Sequence, residues 1–176
     1  MKLLGVFGAG GFGRGVIPLV DAHPSKDAEV VFVDDHCADT SVNGYRVMSF
    51  SSFSAHSNRE MCLAVADAQT RKSLAIRCQK ANIGFFSIKS FHHVELDKTE
   101  IGEGAILCPY TILTSNVRIG SHFHLNIYSY VEHDCVIGDF VTFAPAVRCN
   151  GNVTIEDGAY LGSGAVLRQG VRIGAG

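Results

Sequence analysis

With 176 residues, a net charge of −2 and 18% charged residues, the chain has room for one or two modest domains and shows no basic block of the kind a nucleic-acid footprint needs. No apolar run approaches a membrane span, and the glycine-broken start MKLLGVFGAGG reads as a strand rather than a signal peptide. Six scattered cysteines without a CxxC pair fit reduced thiols in the cytoplasm and lack the paired ligands of a structural zinc site.

The first apolar run, Leu3 to Phe7, predicts a buried parallel strand. Gly8-Ala9-Gly10-Gly11-Phe12-Gly13 follows as a G-x-G-x-x-G turn into a helix expected near Arg14. Glycines here let the backbone approach a phosphate, and the helix N-terminus offers free N–H groups to it. A second strand, Val30 to Val33, ends in Asp34-Asp35 about twenty residues on, where an acid holds a ribose hydroxyl in dinucleotide folds. Gly8, Gly10, Gly13, Arg14, Asp34 and Asp35 are therefore the candidate substrate-binding residues. The plainer alternative is a tight strand-to-helix turn followed by solvated strand-end acids.

Residues 39–45 read as a loop with an Asn43-Gly44 turn signal. Cys62 to Ala66 predicts a third strand, Gln69 to Ala81 a helix and Phe85 to Ile88 a fourth strand. Alternating strand and helix predict a small parallel, Rossmann-like α/β domain over residues 1–90. That is about half of a doubly wound dinucleotide fold, so a mononucleotide or nucleotide-linked ligand suits it better than NAD. Residues 90–100 read as a linker, with His92 and His93 at its surface.

From Ile101 the pattern changes to a strict period of six. Ile101, Leu107, Leu113, Ile119, Leu125, Val131, Ile137, Phe143, Cys149, Ile155, Leu161, Leu167 and Ile173 are all apolar. The following position is often Gly or Asn (Gly102, Gly120, Asn126, Gly138, Asn150), which predicts the bend there. The fifth position is small or β-branched in nearly every unit, Phe123 being the exception. A period of six fits neither a helix nor an alternating strand; it fits a solenoid of short strands and corners, three hexapeptides to a coil, with four full coils from Ile101 to Arg172. This stretch is identified as a hexapeptide-repeat left-handed parallel β-helix, its hand coming from that resemblance.

Within the repeat, His133 falls at an outward position beside Asp134 and one third of a coil after Asn126. A neutral His removes a proton from an attacking amine or hydroxyl near pH 7, and a carboxylate orients and stabilises the resulting imidazolium. Neighbouring residues on a strand point apart, so spacing alone leaves the orienting acid open.

Taken together, GAGGFGR (Gly8 to Arg14), VFVDD (Val31 to Asp35), NGYRV (Asn43 to Val47), EHDCVIGDFVTFAP (Glu132 to Pro145) and GNVTI (Gly151 to Ile155) resemble the sugar O/N-acyltransferase family. That family includes sialic-acid O-acetyltransferases and nucleotide-sugar N-acetyltransferases. The resemblance implies an acetyl-CoA-dependent enzyme acting on an amine or hydroxyl of a nucleotide-linked sugar in surface-polysaccharide or glycan synthesis. It makes His133 the general base and Asp134 its partner, and places Asn126, Thr142 and Gly151 at the acetyl-CoA. It implies a homotrimer with CoA in the groove between adjacent solenoids, and no metal. The sequence departs from the family pattern at Phe12, Thr142 and Ala146, and its end at Gly176 leads to the expectation of a truncated C-terminal solenoid over 91–176. Two other classes remain open at this stage: a nucleotide-sugar-binding protein without catalysis, and a zinc lyase of the carbonic-anhydrase type using His122, His124 and His133.

Overall fold

The computed structural model describes residues 1–21 and 28–176, which divide into two units, Met1–Ile88 and Lys89–Gly176. In the first, β1 (Lys2–Phe7), α1 (Gly11–Asp21), β2 (Ala28–Val33), β3 (Ser41–Val42), β4 (Tyr45–Met48), α2 (Phe50–Ser54), β5 (Arg59–Leu63), α3 (Ala68–Lys80) and β6 (Gly84–Phe85) build an α/β unit. Its sheet runs in the order β3-β4-β2-β1-β5-β6, parallel throughout except for the antiparallel β3–β4 pair. Val6, Val31, Phe32, Val33, Met61, Cys62 and Leu63 are fully enclosed in this unit's core. Each such side chain removed from water stabilises the fold by roughly 1.5–3 kcal/mol.

Several boundaries differ from the sequence reading, each for a local reason. Helix α1 begins at Gly11 rather than near Arg14, because the Arg14 amide already bonds the Gly10 carbonyl at 2.9 Å; packing overrides glycine's poor helix propensity. Residues 39–45 are not all loop: Asn43 (φ 50°) and Gly44 (φ 85°) form the tight turn of the β3–β4 hairpin. The third strand lies at Arg59–Leu63 instead of Cys62 to Ala66. After it, Asp67 caps α3 by accepting the Thr70 amide at 2.7 Å. The expected strand from Phe85 to Ile88 is two pieces: Gly84–Phe85 completes the sheet, and Ile88–Lys89 heads the first face of the solenoid.

The second unit is a left-handed parallel β-helix with three flat faces. Face 1 stacks Ile88–Lys89, Ile106–Leu107, His124–Leu125, Thr142–Phe143 and Tyr160–Leu161. Face 2 stacks Val94–Glu95, Ile112–Leu113, Tyr130–Val131, Arg148–Cys149 and Val166–Leu167. Face 3 stacks Glu100–Ile101, Arg118–Ile119, Val136–Ile137, Thr154–Ile155 and Arg172–Ile173. Partners are 18 residues apart, as in Tyr130 with Arg148, so one coil is three hexapeptides and successive rungs lie roughly 4.8 Å apart. Among the described residues the solenoid has five coils rather than four, because the stretch read as a linker carries two strands of the first. His93 in that stretch is buried, with Nδ1 2.7 Å from Thr111 Oγ1, whereas His92 is exposed.

From Ile101 onward the second side chain of each two-residue strand points inward, and these with most of the fifth-position residues make one continuous core from Ala105 to Leu167. Phe123 fits its fifth position by meeting Phe143 edge-on, with ring centroids 5.2 Å apart at 76°. The bend is not at the residue after the large aliphatic. It comes two residues later: one residue in every six from Lys98 to Gly170 holds φ between 51° and 78°.

Candidate active site at a solenoid corner

His133 and Asp134 lie on the corner between faces 2 and 3, following the strand Tyr130–Val131. Asp134 is the left-handed residue of this corner (φ 59°), and the main chain there is held by the Asp134 amide bonding the Ser115 carbonyl at 3.0 Å. An extended strand would send neighbouring side chains apart; the left-handed bend brings these two together instead. His133 Nδ1 is 2.8 Å from Asp134 Oδ2. A carboxylate only accepts, so Nδ1 carries the proton and Nε2 of the neutral ring carries the lone pair.

Two further residues fix this pair. Asn116, one coil earlier at the same corner position, donates from Nδ2 to Asp134 Oδ1 at 3.1 Å. Gly151, one coil later, leaves the space that the imidazole fills: a Cβ there would stand 2.5 Å from both His133 Cε1 and Nε2. Beside them, Tyr130 donates its hydroxyl to Asn150 Oδ1 at 3.0 Å. The side chains of His133 and Asp134 stay 47% and 54% exposed.

The electrostatics follow from these contacts. The hydrogen bond to Asp134 holds the His133 pKa above the usual imidazole value, with Glu132 adding in the same direction. His133 and then Asn116 keep the Asp134 carboxyl below the usual range. An open groove of about 390 Å³ runs along face 3 from this corner, lined by Lys98, Glu100, Asn116, Arg118, Asp134 and Val136.

Of the residues the sequence assigns to the donor, only Gly151 joins His133 within one chain. Asn126 lies at the corner between faces 1 and 2, where its Oδ1 accepts the Ile127 amide at 2.8 Å. Thr142 is buried on face 1. His122 is also buried and stacks on Phe140 at the corner between faces 3 and 1, and His124 is buried on face 1, so neither shares a corner with His133. Among the described residues no group of three or more His, Cys, Asp or Glu is placed to hold a metal ion. No described helix is long and apolar enough to cross a membrane. All six cysteines are free thiols; Cys135 and Cys149 face each other inside the solenoid at 3.9 Å.

In the N-terminal unit the predicted residues cluster at the carboxyl ends of β1 and β2. Gly8 (φ 102°) closes β1 through its amide to the Val33 carbonyl, and a Cβ on Gly13 would come 1.8 Å from the Gly8 oxygen. Those two glycines are therefore required by backbone geometry. Around Gly10 and Gly11 there is open space. Arg14 Nη1 donates to the Ala9 carbonyl at 3.1 Å. Asp34 is engaged with the main chain: Oδ2 accepts the Ala9 amide at 3.0 Å, and Oδ1 accepts those of His36 and Cys37. Asp35 accepts the Phe50 amide at 2.8 Å and pairs with Arg77 at 2.6 Å, while that guanidinium lies 3.9 Å over the Phe50 ring. Burial pushes the Asp35 carboxyl up, but the Phe50 amide and Arg77 outweigh it and hold the group below the usual range. Sequence reasoning missed Asn116, whose signal was its 18-residue offset from Asp134. It also missed Arg71, fully buried in α3, which donates to the Val65 and Ala66 carbonyls at 2.6 and 3.0 Å.

A hexapeptide solenoid on a chain that opens with a small α/β unit is the architecture of the hexapeptide-repeat acyltransferases. Residues 3–78 match the PglD N-terminal domain. Over 177 aligned residues the chain is 44% identical to the GDP-perosamine N-acetyltransferase of Escherichia coli O157:H7, spanning 97% of this chain and 80% of that protein. WeeI from Acinetobacter baumannii AYE superposes with a TM-score of 0.90 at 43% identity, covering 100% of this chain and 90% of that one. The acetyltransferase domain of PglB from Neisseria gonorrhoeae FA1090, solved with acetyl coenzyme A, has the same fold, with a TM-score of 0.91 at 24% identity over 99% of this chain and 86% of that one. The chain belongs to the hexapeptide-repeat sugar acyltransferase family with a PglD-type N-terminal domain, and is an acetyltransferase of that family.

Proposed function

We propose that the protein transfers acetyl from acetyl-CoA to an amine of a nucleotide-linked sugar, with His133 as general base. The 2.8 Å contact from His133 Nδ1 to Asp134 carries this reading, because it leaves Nε2 as the basic nitrogen of a half-exposed ring at a seat shaped for it. The sugar amine attacks the thioester carbonyl while Nε2 takes its proton. The imidazolium that forms is stabilised by the Asp134 carboxylate. Collapse of the tetrahedral intermediate breaks the carbon–sulfur bond, and the proton passes to the departing CoA thiolate. The 44% identical relative named for GDP-perosamine makes a GDP- or UDP-linked amino sugar the first acceptor class to test.

Asn126 sits at a different corner from His133, so within one solenoid the two do not meet. We place the complete site between neighbouring copies of a homotrimer, with Asn126 of one copy near the acetyl group and the His133 corner of the next. The N-terminal unit holds the nucleotide at the Gly8–Gly13 turn, where open space surrounds Gly10 and Gly11. Asp34 and Asp35 shape that turn and the neighbouring loop through their main-chain bonds. Free thiols and CoA chemistry suit the cytoplasm, and the product feeds surface-polysaccharide or glycan synthesis.

The test is CoA thiol release from acetyl-CoA against a panel of GDP- and UDP-amino sugars, for the native chain and His133→Ala. Release with at least one acceptor, lost in His133→Ala while the oligomer persists, is expected. An active His133→Ala enzyme overturns the assignment of the base, and nucleotide-sugar binding without any turnover points to a binding protein instead.

A further inference from the structure

The corner column that carries Asp134 continues one coil down to Asn116, and this link is not used by the mechanism above. Both residues are left-handed, with φ 57° and 59°, and both are exposed and line the face 3 groove. Asn is a common occupant of left-handed backbone, so φ alone accounts for the residue type. It does not account for the side chain's direction. The Asn116 amide reaches up the column to Asp134 Oδ1, and the other carboxylate oxygen, Oδ2, is the one on His133. The result is a linear chain from an amide through a carboxylate to an imidazole, spanning two coils.

We propose that Asn116 is a positioning residue for acetyl transfer: from the preceding coil it holds the Asp134 carboxylate in the orientation that fixes the His133 ring. The inference rests on the reading of His133 as the base. A carboxylate bonded on one side only swings about its Cβ–Cγ bond. Bonded on both oxygens it has one orientation, and the Nδ1 tautomer of His133 is locked with it. The charged and titratable groups facing His133 come from its own coil: Glu132, Asp134 and the Cys135 thiol. The neighbouring corners, residues 114–117 and 150–153, bring no charge. Asn116 thus acts on the base through Asp134.

Glycine is the clean substitution, because it accepts φ 57° without strain while removing the side chain. In Asn116→Gly we expect kcat to fall about tenfold, the worth of one hydrogen bond to a charged group. KM for acetyl-CoA should stay within about twofold, and the His133 titration, followed by NMR of the ring, should move down toward the ordinary imidazole value. Asn116→Asp should also lose turnover but move the His133 titration up, since it adds a second carboxylate to the chain. A loss of melting temperature and kcat in Asn116→Gly with the His133 titration unmoved would show a purely structural role and overturn the proposal. So would an unchanged kcat in that variant while His133→Ala is inactive. Full activity in His133→Ala removes the base assignment itself and the positioning role with it, so the two failures are told apart by the same set of proteins.

Discussion

Gly151→Ala is the sharpest test of the His133 seat. The new methyl would stand 2.5 Å from Cε1 and Nε2 and 3.0 Å from Nδ1, whereas ordinary contact begins near 3.4 Å. Gly151 does not have a positive φ, so alanine costs nothing in the backbone, and the whole overlap falls on the ring. His133 is 47% exposed and swings outward, at little expense to the core. In doing so it leaves the 2.8 Å contact with Asp134. A reacting group misplaced by about 1 Å costs on the order of 100-fold in rate, equivalent to about 2.7 kcal/mol of transition-state stabilisation. Steady-state kcat/KM should therefore fall by about two orders of magnitude, while the melting temperature changes by no more than a few degrees. The ring titration should return toward its ordinary value in the same protein. Native kcat/KM in Gly151→Ala, or a loss confined to KM for acetyl-CoA, would refute both the seat and the role of His133.

Three further outcomes are expected. The rate should fall as pH drops through the raised pKa of His133, because the base must be neutral; Asp134→Asn removes the cause of that shift and should move the acid limb down, which a kcat/KM–pH profile checks. Gly13→Ala drives a Cβ to 1.8 Å from the Gly8 carbonyl oxygen, a backbone clash costing about 1–3 kcal/mol or more. It should abolish nucleotide-sugar binding by calorimetry while the far-UV signature of the solenoid survives. Leu125→Ala empties a fully enclosed position in the solenoid core and should destabilise that unit by about 2–5 kcal/mol in denaturant melts.

The six-residue period made the solenoid legible because the second position of each strand from Ile101 to Ile173 must be apolar whatever else the corner does. The period did not show where the corner bends, and glycine misled on that point. Gly102, Gly120 and Gly138 do not supply left-handed backbone. A Cβ on Gly102 would stand 2.6 Å from the Gly120 carbonyl carbon one coil on, and on Gly120 it would meet the Asp139 side chain at 2.3 Å. They are glycine because rungs close up there. The left-handed positions instead carry residues a sequence reading would not choose, such as Tyr110, His122, Tyr128 and Phe140, although φ > 0 costs an L-residue roughly 1–2 kcal/mol. Stacking explains their tolerance: Tyr110 lies flat on Tyr128 at 5.6 Å and 7°, and His122 on Phe140 at 4.9 Å and 18°. Each pair is one coil apart in the same column, so the strain of one corner is offset by contact with the next.

The same geometry explains why the site was only half readable. His133 and Asp134 stand out as adjacent residues, but the reason they touch is the φ of 59° at Asp134, which no neighbour in sequence announces. Their supports, Asn116 and Gly151, are each 18 residues from one member of the pair and become neighbours only when the coil length is known. In this fold the relevant neighbourhood of a residue is its column. The corner that strains the backbone at Asp134 is also what turns its carboxylate toward the histidine, so in the mechanism proposed above the strain serves the chemistry.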